Sequence, residues 1–200
     1  MKGSLIIVSF FVLGVLFGIL GVIPFNFEES NLSYYALCAL MFSVGVGIGS
    51  DTRTLRSLRT LDPRLILLPV ATIVGTLIGT ALISTMLPGR SLTDCLAVGS
   101  GFGYYSLSSI FITEYKGAVL GTIALLSNIM REIITLLFAP LLVRCFGRLA
   151  PISAGGATTM DTTLPIITRF SGKDFVIVSI FHGFAVDVSV PFLVVLFCSI

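Results

Sequence analysis

The fold is decided by two hydroxyl-rich stretches, Ser100-Gly-Phe-Gly-Tyr-Tyr-Ser-Leu-Ser-Ser109 and Gly155-Gly-Ala-Thr-Thr-Met-Asp-Thr-Thr-Leu-Pro165. Each precedes a long apolar run that carries charge near its middle, Arg131 and Glu132 in the first run and Asp187 in the second. Glycine weakens a helix, and non-helical backbone is tolerated inside a bilayer only where protein buries it or where it lines a cavity. We therefore predict two broken helical segments at the working centre of a membrane transporter.

The composition is that of a membrane protein. The 200 residues have a mean hydropathy of +1.08, are 56% hydrophobic and are only 11% charged. A soluble domain carries about 25% charged residues, so lipid must cover much of this apolar surface. The net charge of +2 and the placement of the arginines in short loops indicate membrane topology and not nucleic-acid binding.

The predicted fold is an all-α integral membrane protein with about five transmembrane helices and two re-entrant or broken segments in an inverted, antiporter-like repeat. The spans are residues 3–27, 33–50, 65–87, 118–143 and 174–200. They form a single transporter domain over residues 1–200. Residues 1–90 hold three N-terminal spans, 91–145 the first broken segment with its helix, and 150–200 the second with its helix.

Topology depends on the basic residues. Four arginines between residues 51 and 64 place that loop in the cytoplasm, with Lys2 on the same side and Glu28 outside. A straight span at 91–113 would then carry Arg144 and Arg148 outward, whereas a segment that re-enters on the same side keeps both in the cytoplasm. The charge bias favours re-entry, and a plain span stays open as the alternative.

A faint repeat has an offset of 55 residues. It pairs Gly101 with Gly156, Ile112 with Ile167, Thr113 with Thr168, Gly117 with Gly172, and Glu132 with Asp187. In the topology above the two copies enter from opposite faces, an arrangement known from transporters. With so few identities, chance is the alternative explanation.

Glu132 is the first candidate for binding, because a carboxylate inside an apolar span is costly unless it is paired, hydrated or protonated. Asn128, four residues earlier, shares its helix face, and Arg131 points about 100° away. We expect Glu132 and Asn128 to face a polar cavity that takes a cation or a proton. The alternative is a buried Arg-Glu pair to another helix.

Asp161 and Asp187 are further candidates. Asp161 lies among threonines that could help it hold an ammonium group or Na⁺, or it forms a simple Asx turn. Asp187 could be a second proton or cation group, and His182 fits a packed, hydrogen-bonded histidine better than a ligand. Tyr104 and Tyr105 could stack on a cationic substrate, with anchoring at the membrane interface as the alternative. The predicted substrate- and ion-binding residues are Ser100, Gly101, Gly103, Tyr104, Tyr105, Ser106, Asn128, Glu132, Thr159, Asp161, Thr162 and Asp187.

No catalytic set, cofactor motif or metal-ligand cluster is apparent, so we expect neither an enzyme nor a cofactor. The four cysteines lie far apart, without metal or redox spacing, and are expected to be free.

Three motifs resemble the LysO-type lysine exporter family of bacterial inner membranes. They are the stretch 100–109, Asn128-Ile-Met-Arg-Glu132, and the stretch 156–165 followed by His182-Gly183. The likeness covers essentially the whole chain. It implies export of L-lysine and its toxic analogues from the cytoplasm in a multi-pass protein, with Glu132 matching the family's essential intramembrane acidic residue. The family's distant likeness to cation/proton antiporters and bile-acid transporters implies inverted repeats with broken helices.

One departure bears on partners. Single-chain members carry a further N-terminal membrane portion with a transport-linked acidic residue, so this chain resembles the larger part of a split version. We expect a separately encoded small membrane subunit, a homo-oligomer, or both. The other expected partners are L-lysine, protons or Na⁺, and the bilayer, with no nucleic acid.

The expected activity is proton-coupled lysine export. The alternatives are a Na⁺/H⁺-type exchanger that uses the same carboxylates, a non-transporting scaffold for the partner subunit, and more remotely a membrane hydrolase.

Overall fold

A computed structural model describes residues 63–200 continuously, together with eight isolated helical residues between positions 13 and 46. The chain divides into two compact units, residues 1–39 and 40–200, and residues 63–200 belong to the second. The predicted span 3–27 and the predicted span 33–50 fall largely outside the described residues. The arginine loop before residue 63 and the glutamates at 28 and 29 fall wholly outside them.

The described residues 63–200 form helices joined by turns and short loops, and they contain no strand. Three long helices, α1 (Pro63–Ser84), α4 (Ala118–Phe146) and α7 (Val176–Ser199), are about 33, 44 and 36 Å long at 1.5 Å per residue. Between them lie the short helices α2 (Leu92–Gly99), α3 (Tyr105–Lys116), α5 (Ala150–Gly155) and α6 (Leu164–Ser171). Two 3₁₀ turns, Gly156–Met160 and Lys173–Phe175, complete the order.

Two stretches of the described chain, Leu65–Ser84 and Lys173–Ser199, are long and apolar enough to cross a membrane. Large apolar side chains cover the exterior of the long helices, for example Leu67 and Leu82 on α1 and Leu126 and Leu137 on α4. Such a surface suits lipid, not water. The all-helical membrane fold agrees with the sequence, whereas five spans and an inverted, antiporter-like repeat stay predictions.

Both hydroxyl-rich stretches break a helix. In the first, α2 ends at Gly99 and α3 begins at Tyr105, with Phe102 and Gly103 at φ values of 45° and 95° between them. In the second, α5 gives way to the 3₁₀ turn at Gly156, where φ is 63°. Glycine is the residue that adopts such angles at little cost, which explains the breaks at these positions.

The first broken segment folds back on itself. Lys116 Nζ at the end of α3 lies 3.7 Å from the Oδ1 atom of Asp94 at the start of α2. Two half-helices in a straight line would hold these residues roughly 30 Å apart. The contact agrees with re-entry and not with a plain span over residues 91–113.

The second segment also returns to its starting level. Ile152 of α5, Ile167 of α6 and Val178 of α7 form a buried cluster, against which Leu65 at the start of α1 packs. Both ends of this segment therefore lie at the beginning of α1 and α7.

The hairpins turn into their long helices in the same way. Gly117 has φ 91° and ψ 165°, and Gly172 has φ 106° and ψ 159°. The amide of Gly117 donates to Thr113 O at 2.9 Å, and that of Gly172 donates to Thr168 O at 3.2 Å. These four residues are two of the pairs in the 55-residue repeat, which gives the offset a structural counterpart at this turn.

Each broken segment forms a helical hairpin, and its tip is the break, at Phe102 and Gly103 in the first and at Gly156 and Ala157 in the second. The two tips touch through their backbones. The amide of Ala157 donates to the carbonyl oxygen of Phe102 at 2.9 Å, and a Cβ atom on Gly156 would overlap that same oxygen. Cys95 and Cys198 are buried and Cys145 is exposed, and all three are free thiols as expected. Cys38 falls outside the described residues.

We expect Gly156→Ala to destabilise the protein far more than Gly147→Ala. Both glycines have positive φ, which costs an alanine about 1–3 kcal/mol. Gly147 has open space around its Cα, whereas at Gly156 the added methyl also displaces Phe102 and separates the tips. Thermal unfolding in detergent, with the yield of monodisperse protein, measures the difference. Equal melting temperatures for the two variants would contradict the tip contact.

Candidate functional site

Asn128 of α4 stabilises the backbone at the first helix break, between α2 and α3. It is buried, and its Oδ1 accepts a hydrogen bond from the amide of Gly103 at 2.7 Å. Its Nδ2 donates to Ala124 O at 2.9 Å and to Val98 O at 3.3 Å. A buried backbone group without a partner costs about 1–3 kcal/mol. Asn128 therefore supplies partners that the interrupted helix has lost.

Arg131, one turn further along α4, holds the second break. Its Nε donates to Ala154 O at 2.8 Å and an Nη donates to Ser153 O at 3.0 Å, at the C-terminal end of α5. The other Nη lies 3.3 Å from Thr76 Oγ1 of α1, and the guanidinium lies 5.9 Å from the ring centre of Phe102. A cation at the end of a helix also opposes its negative pole.

A cavity of about 180 Å³ lies beside the point where the two tips touch. The carboxylates of Glu132, Asp161 and Asp187 are part of its lining. We call it the acidic cavity. Its walls come from both broken segments and from α4 and α7, so neither hairpin alone could form it.

Asp187 is the most enclosed of the three acids. Its residue is 6% exposed, and its Oδ1 has no hydrogen-bond partner. A buried, unpartnered carboxylate oxygen is costly, and native proteins rarely keep one unless an ion, a proton or a ligand meets it. The side chain is thus open to a ligand from the cavity.

Asp161 is exposed at the second tip, and its Oδ1 accepts from the amide and from the hydroxyl of Thr162. Both bonds go to the next residue, whereas an Asx turn needs the amide two residues on. The same carboxylate lines the acidic cavity, and its bonds to Thr162 fix its position there.

His182 fits the interpretation of a packed histidine. It is fully buried, with Nδ1 3.2 Å from Thr159 Oγ1 and Nε2 2.9 Å from Thr72 Oγ1. Thr159 Oγ1 is also within hydrogen-bond distance of the carbonyl oxygens of Gly156 and Ser179. The histidine therefore fastens the second tip to α1 and α7.

Eight of the twelve residues predicted to bind are brought together in the acidic cavity. They are Gly103, Tyr104, Tyr105, Ser106, Glu132, Asp161, Thr162 and Asp187. Whether they bind a substrate stays a prediction.

The other four lie elsewhere. Ser100 Oγ donates to Leu96 O, Gly101 packs against the side chain of Asn128, and Thr159 is bonded to His182. Asn128 lies across the first tip from Glu132, so the prediction that the two share one cavity is wrong.

The opposite side of the junction has a larger cavity of about 520 Å³ between α1, α2 and α4. Asn128 and Arg131 line it, and its other walls are mainly apolar. The sequence did not predict this cavity. It also did not predict the hydrogen bonds of Arg131, because their acceptors are backbone carbonyl groups, which every residue has. Thr158 and Met160, which also line the acidic cavity, were within the quoted stretch but were not singled out.

A family model described as lysine exporter LysO matches residues 8–198 of the chain. The chain is 36% identical over 188 residues to a protein of Escherichia coli (strain K12) named "Lysine exporter LysO", with 94% of this chain and 62% of that protein covered. It is 34% identical over 170 residues to a protein of Haemophilus influenzae named "Putative lysine exporter", with 85% of each covered. The chain thus spans less than two thirds of the length of the E. coli relative. No solved structure matches.

We expect Asn128→Ala to lower the melting temperature by roughly 2–12 °C, because the change strands buried backbone groups at about 1–3 kcal/mol. Ser127→Ala is the matched control, since Ser127 is the exposed neighbour on the same helix and should change the melting temperature little. Scanning fluorimetry in detergent measures both. If Asn128→Ala lowers the melting temperature no more than Ser127→Ala does, Asn128 does not stabilise the first helix break.

Proposed function

The chain belongs to the lysine exporter LysO family, and on this premise we propose that it exports L-lysine and lysine analogues across the bacterial cytoplasmic membrane. Family membership supports a transporter and not an enzyme, and the apolar helices support a membrane location. The proposal also includes a small membrane subunit, a second copy of the chain, or both, as partners in transport.

The observation that carries the proposal is the acidic cavity at the junction of the broken segments. Lysine has two ammonium groups, and Glu132, Asp161 and Asp187 offer three carboxylates to them. The faces of Tyr104 and Tyr105, which line the same cavity, can add cation–π attraction. Charge-assisted hydrogen bonds of this kind are among the strong ones in proteins.

Coupling to protons is the second part of the proposal. Moving a cation outward against an inside-negative potential costs about 2.3 kcal/mol per charge per 100 mV, so export needs a driving ion. Proton entry would offset that cost. A carboxylate as enclosed as Asp187 can carry a proton while the lysine site is empty and release it when an ammonium group binds.

The third part is an inverted pair of re-entrant hairpins. Three observations support it: the ion pair between Asp94 and Lys116, the return of the second segment to the start of α1, and the tip contact. That contact joins Phe102 to Ala157, which are separated by the repeat offset of 55 residues. Alternating access would then occur around the acidic cavity.

A Na⁺/H⁺-type exchanger is the second candidate. Oxygen atoms are the ligands that hard cations take, and the acidic cavity offers hydroxyls such as that of Thr162 beside its carboxylates. An exchanger would move protons in response to Na⁺ without any amino acid, which a pH-sensitive dye trapped in proteoliposomes would reveal.

We expect Glu132→Gln to reduce lysine efflux from proteoliposomes by about tenfold or more, since a hydrogen bond to a charged group contributes about 1.5–3 kcal/mol. Glu114→Gln is the matched control, because Glu114 is an exposed carboxylate on α3 outside the cavity. Its efflux should equal that of the unmodified chain. Each is measured with labelled lysine, with and without a pH gradient.

Unaltered efflux in Glu132→Gln would rule out the acidic cavity as the lysine site. Lysine efflux that is unchanged when the pH gradient is collapsed would rule out proton coupling but not lysine export. No lysine flux in any form of the chain would favour the exchanger.

For topology we expect cysteines placed at Arg90 and Glu114 to react with an impermeant thiol reagent outside intact cells. Cysteines at Arg148 and Lys173 should react only in inverted vesicles. All four positions are exposed, and the arginines after α4 favour the cytoplasm. The native cysteines are first replaced by serine. Labelling of positions 90 and 114 from opposite sides would show a plain span instead of a hairpin.

A further inference from the structure

The acidic cavity is lined by acids without a compensating base. Glu132, Asp161 and Asp187 contribute three carboxylates, and no Lys, Arg or His among the described residues lines the cavity. The carboxylate of an amino acid would therefore meet three negative charges and no cationic side chain. Its ammonium groups match the negative charge of the lining, whereas its carboxylate does not.

Arg131, the nearest basic candidate, is committed elsewhere. Its guanidinium donates to the carbonyl oxygens of Ser153 and Ala154 and lies next to the Thr76 hydroxyl, and its side chain lines the larger cavity. Turning it into the acidic cavity would release the end of α5 and leave those buried carbonyls without partners. Arg131 thus cannot serve a substrate carboxylate without loosening the second break.

Three backbone donors at the tips are also committed. The amide of Gly103 donates to Asn128, that of Ala157 to Phe102, and that of Thr162 to Asp161. The first turn of α3, which begins beside the cavity, has a helix pole of about half a positive charge. That partial charge is small against three carboxylates.

An unpartnered ligand group shows that the lining is built to receive a cation. The Oδ1 atom of Asp187 is buried without a hydrogen-bond partner, and the side chain lines this cavity. The cavity also has apolar and aromatic surface from Met160 and Tyr104. This combination suits a flexible aliphatic chain that has a cationic group at each end.

From this charge balance we propose that the chain also binds and exports linear diamines, with 1,5-diaminopentane, which is lysine without its carboxylate, as the representative. The inference rests on the proposed export function, because it assigns a second substrate class to the same cavity. A diamine keeps both ammonium groups of lysine and removes the one group for which the described lining has no cationic partner. Binding should follow the number of ammonium groups and should gain nothing from a carboxylate.

The test is competition against labelled lysine on the purified full chain in detergent. Three unlabelled competitors are compared: lysine, 1,5-diaminopentane and 6-aminohexanoate, which keeps the carboxylate but has only one ammonium group. We expect 1,5-diaminopentane to displace labelled lysine at a concentration no higher than lysine itself requires. We expect 6-aminohexanoate to require at least about tenfold more, as for the loss of one charged hydrogen bond.

Two variants link the result to the cavity. Asp187→Asn and Glu132→Gln should each weaken binding of labelled 1,5-diaminopentane by about tenfold or more, and Glu114→Gln should leave it unchanged. Efflux of the labelled diamine from proteoliposomes should follow the same order.

The outcomes separate the two proposals. A half-displacing concentration for the diamine above that for lysine would overturn the inference, because the carboxylate would then be recognised, and lysine export would stand. Diamine binding that is indifferent to both acidic variants would overturn it as well. No binding of lysine would overturn the export proposal itself.

Discussion

A backbone N–H or C=O group in the membrane interior must have a partner, and the whole structure is arranged around that requirement. Breaking two helices leaves such groups free at both tips. The amide of Ala157 and the carbonyl of Phe102 satisfy each other. α4 supplies the rest, with Asn128 on the first break and Arg131, one turn later, on the second. One helix thus fastens both hairpins at a single level, so neither tip can shift without exposing unpaired groups on the other.

This arrangement divides the polar groups of α4 between two sides of the junction. Asn128 and Arg131 hold backbone and line the larger cavity, whereas Glu132 lines the acidic cavity. Of the two ionised side chains, the Arg131 cation has fixed protein partners and the Glu132 anion lines the acidic cavity. This distribution explains how a site for cations can lie next to an arginine: the carbonyl groups at the end of α5 take up the positive charge.

Much of this architecture was predictable, because glycine clusters and apolar runs have local causes. Residue type alone predicts the helix breaks at 100–109 and 155–165, the helical fold and the free cysteines. The repeat pair Gly117 and Gly172 even shares its backbone angles. The site was predictable only in part, since Asn128 and Glu132 lie four residues apart on one helix and still reach different cavities. The tip loop at Gly103 separates them, and that contact spans a distance along the chain that no local pattern encodes.

The most direct test of the account is protection of the cavity by lysine. Ser106 and Thr162 are exposed residues that line the acidic cavity from opposite tips, and a cysteine at either position can be labelled with a thiol reagent in purified protein. Native Cys145, exposed near the end of α4, is the internal control. At ten times its dissociation constant lysine should slow labelling of both engineered cysteines about tenfold and leave Cys145 unaffected. Unchanged labelling at either tip would contradict a lysine site built jointly by the two broken segments.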